Sequence, residues 1–230
     1  KTTIMKSITG LSQPSEGSIT IFGAPSTDRE AYLKHVGALI EQPALYENLT
    51  AWDHLVMAAR FYPAVDEKRM DQVLTIVGLA PYKKERCGKF SLGMKQRMGI
   101  ALALLSEPDL MILDEPTNGL DIPSKAQFRS AILKYTPEDS TIVISTHQVR
   151  DLENVIDPII ILDRQDVLLN ASLSQISEKL FFDYGTVLHP DSLYSEQLPG
   201  GFIQVCRNLS GADSKVNIEA LFNAVHKNKE

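Results

Sequence analysis

Two adjacent carboxylates, Asp114 and Glu115, close the apolar run Leu110-Met111-Ile112-Leu113 and stand directly before Pro116. A carboxylate at the C-terminal end of a buried parallel strand lies where open α/β sheets bind ligands. Asp114 there suits Mg²⁺, reached through a water, because Mg²⁺ takes oxygen ligands and keeps much of its hydration. Glu115 suits a general base that accepts the proton of an attacking water, a role worth roughly 10²–10⁴ in rate. Taken alone, the same letters are equally a strand that ends in two acids.

Lys1-Thr2-Thr3 has the chemistry of a phosphate-loop end. Lysine neutralises β- and γ-phosphates as a point charge, and the next hydroxyl, Thr2, binds Mg²⁺. The backbone N–H groups at a helix start, Thr3 among them, add donors and the positive end of the helix dipole. Ser91-Leu92-Gly93 offers a serine N-cap followed by a glycine, which lets backbone approach an anion closely. An ordinary N-cap explains Ser91 but not a glycine in the first turn, where it is costly. Lys95, Gln96 and Arg97 read by default as solvated surface. Gln42 and His147 each follow a strand, so both can reach one sheet edge: Gln42 to sense Mg²⁺ and the attacking water, His147 to hydrogen-bond a γ-phosphate.

Those side chains need elements to hold them. Thr2 to Ile8 reads as a helix ended by Gly10, and Ile19 to Phe22 and Val36 to Ile40 as strands. Pro43 cannot donate a ladder hydrogen bond and biases Gln42 away from helix, which puts Gln42 in a loop. Thr50 and Asp53 have capping-box spacing ahead of Leu55, Val56 and Ala59. Asp66 caps a helix with Met70, Val73, Leu74 and Val77 on one stripe, stopped by Gly78. Met94, Met98, Ala101, Leu102 and Leu105 form the stripe of the helix behind Ser91. Leu110 to Leu113, Thr141 to Ser145 and Ile159 to Leu162 read as buried strands, with a helix between the first two capped by Ser124 and Gln127 and running to about Lys134. This alternation predicts a mainly parallel sheet. Beyond about Ala171 the pattern weakens, with a strand at Phe202 to Cys206 and a helix at Ile218 to Val225.

Composition sets limits. A chain of 230 residues with 43% hydrophobic content can bury one sizeable core and a small appendage. A net charge of −6 argues against nucleic acid as a partner. Cys87 and Cys206 are too few and too scattered for a metal cluster or disulfide framework. No apolar run reaches the roughly 20 residues that span a bilayer, so work at a membrane requires docking on another subunit.

The ordered set resembles the ATP-binding subunit of ATP-binding cassette (ABC) transporters. Lys1-Thr2-Thr3 is similar to the end of that family's Walker A motif. Gln42 falls on its Q-loop, and Ser91-Leu92-Gly93-Met94-Lys95-Gln96 on its signature motif. Leu110 to Glu115 looks like Walker B with the catalytic glutamate, Asn118-Gly119-Leu120-Asp121 like the D-loop, and His147 like the switch histidine. The likeness covers about residues 1–170. It implies an α/β P-loop NTPase with a mainly parallel core sheet. A helical subdomain at about residues 50–107 is inserted in it, and a C-terminal extension of unknown role covers 171–230. The family's usual signature is Leu-Ser-Gly-Gly-Gln, where this chain has Phe90-Ser91-Leu92-Gly93-Met94. That variant, with Leu39 to Thr50, looks like the bacterial drug- and peptide-antibiotic export branch of the bacitracin-resistance type. The family carries roughly 35–40 residues upstream, with the phosphate-loop glycines and the adenine-stacking aromatic. The natural protein is therefore expected to be longer than this sequence.

The resemblance further implies an ATPase, with ATP and Mg²⁺ as cofactors, that works as a head-to-tail dimer. ATP would lie between Lys1, Thr2, Thr3, Gln42, Asp114, Glu115 and His147 of one copy and Ser91 and Gly93 of the other, with Asp121 near it. The implied partners are a second ATP-binding subunit, identical or not, and a membrane-spanning transporter subunit that recognises the cargo. The docking groove would involve Pro43 through Asn48, with Leu45 and Tyr46 as anchors. The implied location is cytoplasmic, peripheral on the inner face of the cell membrane. Two other readings are a soluble ABC-type ATPase not coupled to transport, and a catalytically impaired interaction module.

Overall fold

Four consecutive apolar residues, Leu110 to Leu113, can leave water on both faces only inside a sheet covered on two sides. The computed structural model, which describes every residue except 136–138, 153–154 and 228–230, puts them there. Strand β4 (Leu110–Asp114) is buried along its whole length. The chain divides into two compact units, Lys1–His147 and Gln148–Glu230.

In the first unit, helix α1 (Thr2–Ile8) leads to a small hairpin of β1 (Thr20–Ile21) and β2 (Ala24–Pro25), then to the short helix α2 (Arg29–Tyr32). Phe22, read from the sequence as a strand residue, instead forms the two-residue hairpin turn with Gly23, both at positive φ. Strand β3 (Val36–Leu39) pairs in parallel with β4, and β4 in parallel with β5 (Thr141–Ser145). The register sets Leu39 beside Leu113 and Asp114 beside Ser145. The three strands thus end nearly level, and the residues that follow them emerge at one edge. Strand β5 is less buried than expected: only Ser145 is fully covered, since β5 ends the order β3-β4-β5.

Successive strand side chains point to opposite faces. On one face Val36, Leu110 and Ile112 pack with Met5 of α1, Ile21 and Tyr32. On the other face lies helix α5 (Leu92–Leu104), so close to β3 that a Cβ on Gly37 would collide with the Ala103 carbonyl oxygen.

The helical region is built by its caps. Thr50 and Asp53 form the expected capping box at α3 (Ala51–Ala59), although Val56 faces outward. Asp66 caps α4 (Glu67–Ile76) through the Arg69 N–H. Gly78, at φ +68°, ends α4, with Leu79 N–H donating to Leu74 O at 2.8 Å and Gly78 N–H to Thr75 O at 3.1 Å. Helices α4 and α5 then clamp each other's C-terminal ends. Arg97 of α5 donates to the Val77 and Gly78 carbonyls, and Arg69 of α4 donates to the Leu104 and Leu105 carbonyls. Each guanidinium supplies donors and positive charge where a helix end offers orphan carbonyls. Gln127 adds a bond to Ile76 O from α6 (Ile122–Tyr135). The cap of α6 is Asp121 rather than Ser124: its carboxylate accepts from the Ser124 N–H at 2.9 Å. Ser124 is already inside the helix, because Pro123 needs no donor partner in a first turn.

The second unit holds β6 (Ile159–Asp163) and β7 (Asp166–Ala171), α7 (Leu173–Lys179), β8 (Leu180–Gly185), β9 (Tyr194–Leu198), β10 (Gly201–Arg207) and α8 (Ile218–Lys227). Strand β6 was expected as another buried strand of the parallel sheet. It pairs instead antiparallel with β7, and Ile159 and Ile161 share a core with Ile176, Phe182, Ile203, Val205 and Leu221. That shared core puts the division at His147/Gln148, earlier than the residue 170 read from the sequence. Strands β8, β10 and β9 form an antiparallel sheet in that order. The strand around Phe202 to Cys206 and the helix from Ile218 both form. No described helix is long and apolar enough to cross a membrane.

Candidate functional site

The level ends of β4 and β5 build the site. Asp114 is 3% exposed, and its two oxygens are engaged from opposite sides. The Thr2 hydroxyl donates to Oδ2 at 2.7 Å, and the Ser145 hydroxyl donates to Oδ1. A buried carboxylate costs several kcal/mol unless hydrogen-bonded, and these two hydroxyls meet that need. Ser145 is the residue the sequence reading missed. Its signal was the parallel register, which no local pattern prints.

Glu115 sits one residue beyond β4 at φ +49°. The left-handed region costs a non-glycine residue about 1–2 kcal/mol, and contacts at its N–H, carbonyl and carboxylate hold Glu115 in it. Its N–H donates to Ser145 O at 3.0 Å, and its carbonyl accepts from the Gln96 side chain at 3.3 Å. Its carboxylate Oε2 lies 2.9 Å from His147 Nδ1 and accepts from the His147 N–H at 3.3 Å. Such a turn redirects the carboxylate away from the line of the strand and toward His147. Lys1 Nζ donates to the Thr146 carbonyl at 2.9 Å and stands 3.9 Å from Glu115 Oε1.

Lys1, Thr2, Asp114, Glu115 and His147 are therefore together. Thr3 lies one step along α1 and is exposed. Gln42 is exposed in the loop after β3, beside Glu41, whose carboxylate pairs with Lys6 of α1 at 2.6 Å. Gln42 makes no hydrogen bond to the Asp114 cluster among the described residues. Ser91 caps α5 by accepting from the Met94 N–H at 3.2 Å. Gly93 faces the Gly119 carbonyl instead of Asp114. Asp121, expected to lie near the nucleotide, spends its carboxylate on the α6 cap, and the hydrogen bonds from Ser124, side chain first and backbone next, hold it below the usual aspartate range.

Gln96 and Arg97 correct the surface reading. Gln96 is 3% exposed and donates to the Glu115 and Pro116 carbonyls. Arg97 is spent on the α4 end. Helix α5 is covered on more faces than its apolar stripe indicated, because β3, α4 and the Glu115 turn all pack on it.

The donors fit magnesium. Among the described residues no three histidine, cysteine or acidic groups gather into a metal cage. Mg²⁺ does not ask for one: it is held by one or two carboxylates together with phosphate oxygens and waters. Asp114 and Thr2 put a carboxylate and a hydroxyl side by side at the sheet edge.

Beside the loop of Gln42, the Tyr46 N–H donates to His54 Nε2 at 2.9 Å, while His54 Nδ1 donates to Thr50 O at 2.8 Å. The buried His54 thus fixes the segment after Pro43 onto α3, and the Tyr46 ring stacks over it while remaining 59% exposed.

Residues 1–118 match the family described as ABC transporter. The bacitracin transport ATP-binding protein BcrA of Bacillus licheniformis is 41% identical over 78% of this chain and 59% of its own length. The ABC transporter ATP-binding protein YdbJ of Bacillus subtilis is 37% identical over 80% of this chain and 61% of its own. The lantibiotic transport ATP-binding protein SrtF of Streptococcus pyogenes is 41% identical over 68% of this chain and 67% of its own. The chain thus spans about three fifths of the length of the first two. A solved ATP-binding subunit of an ABC transporter superposes with a TM-score of 0.69 at 32% identity, covering 76% of this chain and 75% of that one. A dimeric ATP-binding cassette bound to ADP and Pi shares the fold, with a TM-score of 0.59 at 24% identity, over 65% of this chain and 70% of that one. The chain belongs to the ABC transporter family.

Proposed function

We propose that this chain is the ATP-binding and hydrolysing subunit of a membrane ABC transporter, of the exporter kind that handles drugs or peptide antibiotics. The observation that carries the reading is the gathering of Thr2, Asp114, Ser145, Glu115 and His147 at the ends of β4 and β5. The names of BcrA and SrtF support the choice of export branch. The ATP work belongs to the first unit, which holds every candidate site residue; the C-terminal region keeps a separate, unassigned role.

Each side chain has a task in ATP hydrolysis. Lys1 offsets phosphate charge, and backbone at the start of α1, including Thr3, adds donors. Thr2 and Asp114 would hold Mg²⁺, which would neutralise charge on the phosphates, and Gln42 would approach it from the loop after β3. Glu115 takes the proton of the attacking water, and His147 holds the Glu115 carboxylate and meets the γ-phosphate. Ser91 and Gly93 stand apart from this cluster in the same chain. They complete the site of a second copy, with the N-terminus of α5 contributing about half a positive charge. Asp121 lies at that junction between copies. Closure is then a two-state switch that nucleotide biases. Pro43 through Asn48, with Leu45 and the exposed Tyr46, docks the membrane-spanning subunit, which sets the location as the cytoplasmic face of the cell membrane.

The test is Glu115→Gln in the intact natural protein, sized on a column with and without ATP and Mg²⁺. Dimer with ATP and monomer without it is expected. Monomer under both conditions, with ATP bound, would sink the shared-site reading.

A further inference from the structure

Glycine costs a helix about 1 kcal/mol relative to alanine, yet Gly93 occupies the first turn of α5. The reason is the loop that follows Glu115. A Cβ on Gly93 would stand 3.0 Å from the Gly119 carbonyl oxygen and 3.7 Å from Leu120 Cδ2. The crowding is reciprocal. A Cβ on Gly119 would stand 2.7 Å from Leu92 Cδ2 and 2.9 Å from Leu92 Cγ. Each segment is bare where the other carries atoms. Leu92 is 54% exposed, so core burial does not explain its position. It also stands where the family's usual signature has a glycine, which would leave nothing to seat against Gly119.

We infer that Leu92 and Gly119 are a positioning pair: the Leu92 side chain, seated on Gly119, locks the first turn of α5 to the loop ending at Asp121. The inference rests on the shared-site reading above and extends it. Ser91 and Gly93 ride on one side of the lock and Asp121 on the other. Gln96 ties the same helix to the Glu115 and Pro116 carbonyls one turn further on. Two contacts along α5 therefore make the signature turn and the loop after Glu115 move as one body. A second copy docking its nucleotide meets donors already aligned.

The test compares Gly119→Ala, Leu92→Ala and the double variant. Gly119 has φ +74°, so alanine brings backbone strain in either background, and the cycle isolates the contact as the departure from additivity. Hydrogen exchange is read first, without nucleotide, on a peptide spanning residues 90–98. Gly119→Ala should speed exchange about fivefold or more by opening that turn locally. The double variant should return to within about twofold of Leu92→Ala. Exchange unchanged in Gly119→Ala, or a double variant equal to the product of the two singles, overturns the inference.

Dimerisation is read second, in the Glu115→Gln background with ATP and Mg²⁺. Gly119→Ala should raise the protein concentration for half-dimerisation about tenfold or more, equivalent to about 1.4 kcal/mol. ATP binding by the monomer should be unchanged, and the double variant should recover most of the loss. Changed exchange with unchanged dimerisation makes the contact merely structural and also overturns the inference. A Glu115→Gln parent that does not dimerise sinks the proposed function instead, and the exchange cycle alone then decides whether the lock exists.

Discussion

Gly99→Ala sets two magnitudes against each other. Gly99 lies within α5, where alanine is intrinsically better by about 0.8–1 kcal/mol. By propensity alone the variant is stabilised. The structure opposes this: an added Cβ would stand 2.6 Å from Pro43 Cγ and 2.7 Å from Leu39 Cδ1. Leu39 is a buried strand residue, and Pro43 is a rigid ring. Contact at 2.6 Å is about 0.8 Å short of ordinary van der Waals separation. Overpacking of this kind costs about 1–3 kcal/mol, so the expected net is a loss of up to about 2 kcal/mol in urea unfolding. The displaced ring adjoins Gln42. A misplacement near 1 Å away from the chemistry can cost about 10²-fold, so ATP turnover in the intact natural protein should fall tenfold to a hundredfold while ATP binding holds. A gain of about 1 kcal/mol with normal turnover would refute the reasoning at its root. A stability loss with normal turnover would leave the packing argument standing and remove Gln42 from the reaction.

Other outcomes follow from single contacts. Arg69→Met strips two carbonyls at the α5 end of charged donors, worth about 1.5–3 kcal/mol per bond, and should lower unfolding free energy by about 3 kcal/mol. Glu107→Gln, which breaks only the pair between an exposed carboxylate and the same arginine, should cost less, about 1 kcal/mol. Asp114→Asn should abolish the Mg²⁺-dependent part of the melting-temperature rise that ATP gives, and an undiminished rise would remove Asp114 from the metal site. Asp121 is held below its ordinary value, so its capping contribution is complete above about pH 4 and is lost as pH falls through the lower folded value. Asp121→Asn still caps but does not titrate, so its stability should fall less steeply than wild type as pH drops below about 4, as urea unfolding at successively lower pH will read.

What the sequence made legible was local. The Thr50–Asp53 box, the Asp66 cap, the Gly78 stop and the buried run of β4 are each fixed by residues within one or two turns, and each formed. Acids after an apolar run could be placed at a strand end for the same reason. What stayed hidden depended on partners far along the chain. Ser145 reaches Asp114 across 31 residues and only because β4 and β5 are in register. Gln96 and Arg97 look like surface on a helical wheel, yet their acceptors are carbonyls 19 and 20 residues away. Carbonyls carry no side-chain signature, so a polar residue that serves them leaves no pattern to read. Strand β6 misled for the converse reason: an apolar run announces burial but not which sheet buries it.

The distribution of those hidden contacts along α5 has a physical consequence. Leu92 seats on Gly119, Gln96 holds the Glu115 turn, Arg97 holds the end of α4, Gly99 meets Pro43, and the last carbonyls of α5 accept from Arg69. A helix bonded at its start, middle and end to different segments cannot tilt without breaking some of them, and a charged or buried bond costs roughly 1–3 kcal/mol. Movement of the Glu115 carbonyl is therefore passed to Ser91, five residues before Gln96, as rigid displacement. Gln96→Leu keeps helix length and burial while removing that one tie; the Glu115 carbonyl keeps its bond from the Asn118 N–H, and the Pro116 carbonyl loses its Gln96 donor. It should lower turnover more than it lowers affinity for ATP, because the nucleotide contacts proposed for Lys1, Thr2 and Asp114 do not pass through α5. Equal losses in both would mean that α5 only supports the fold.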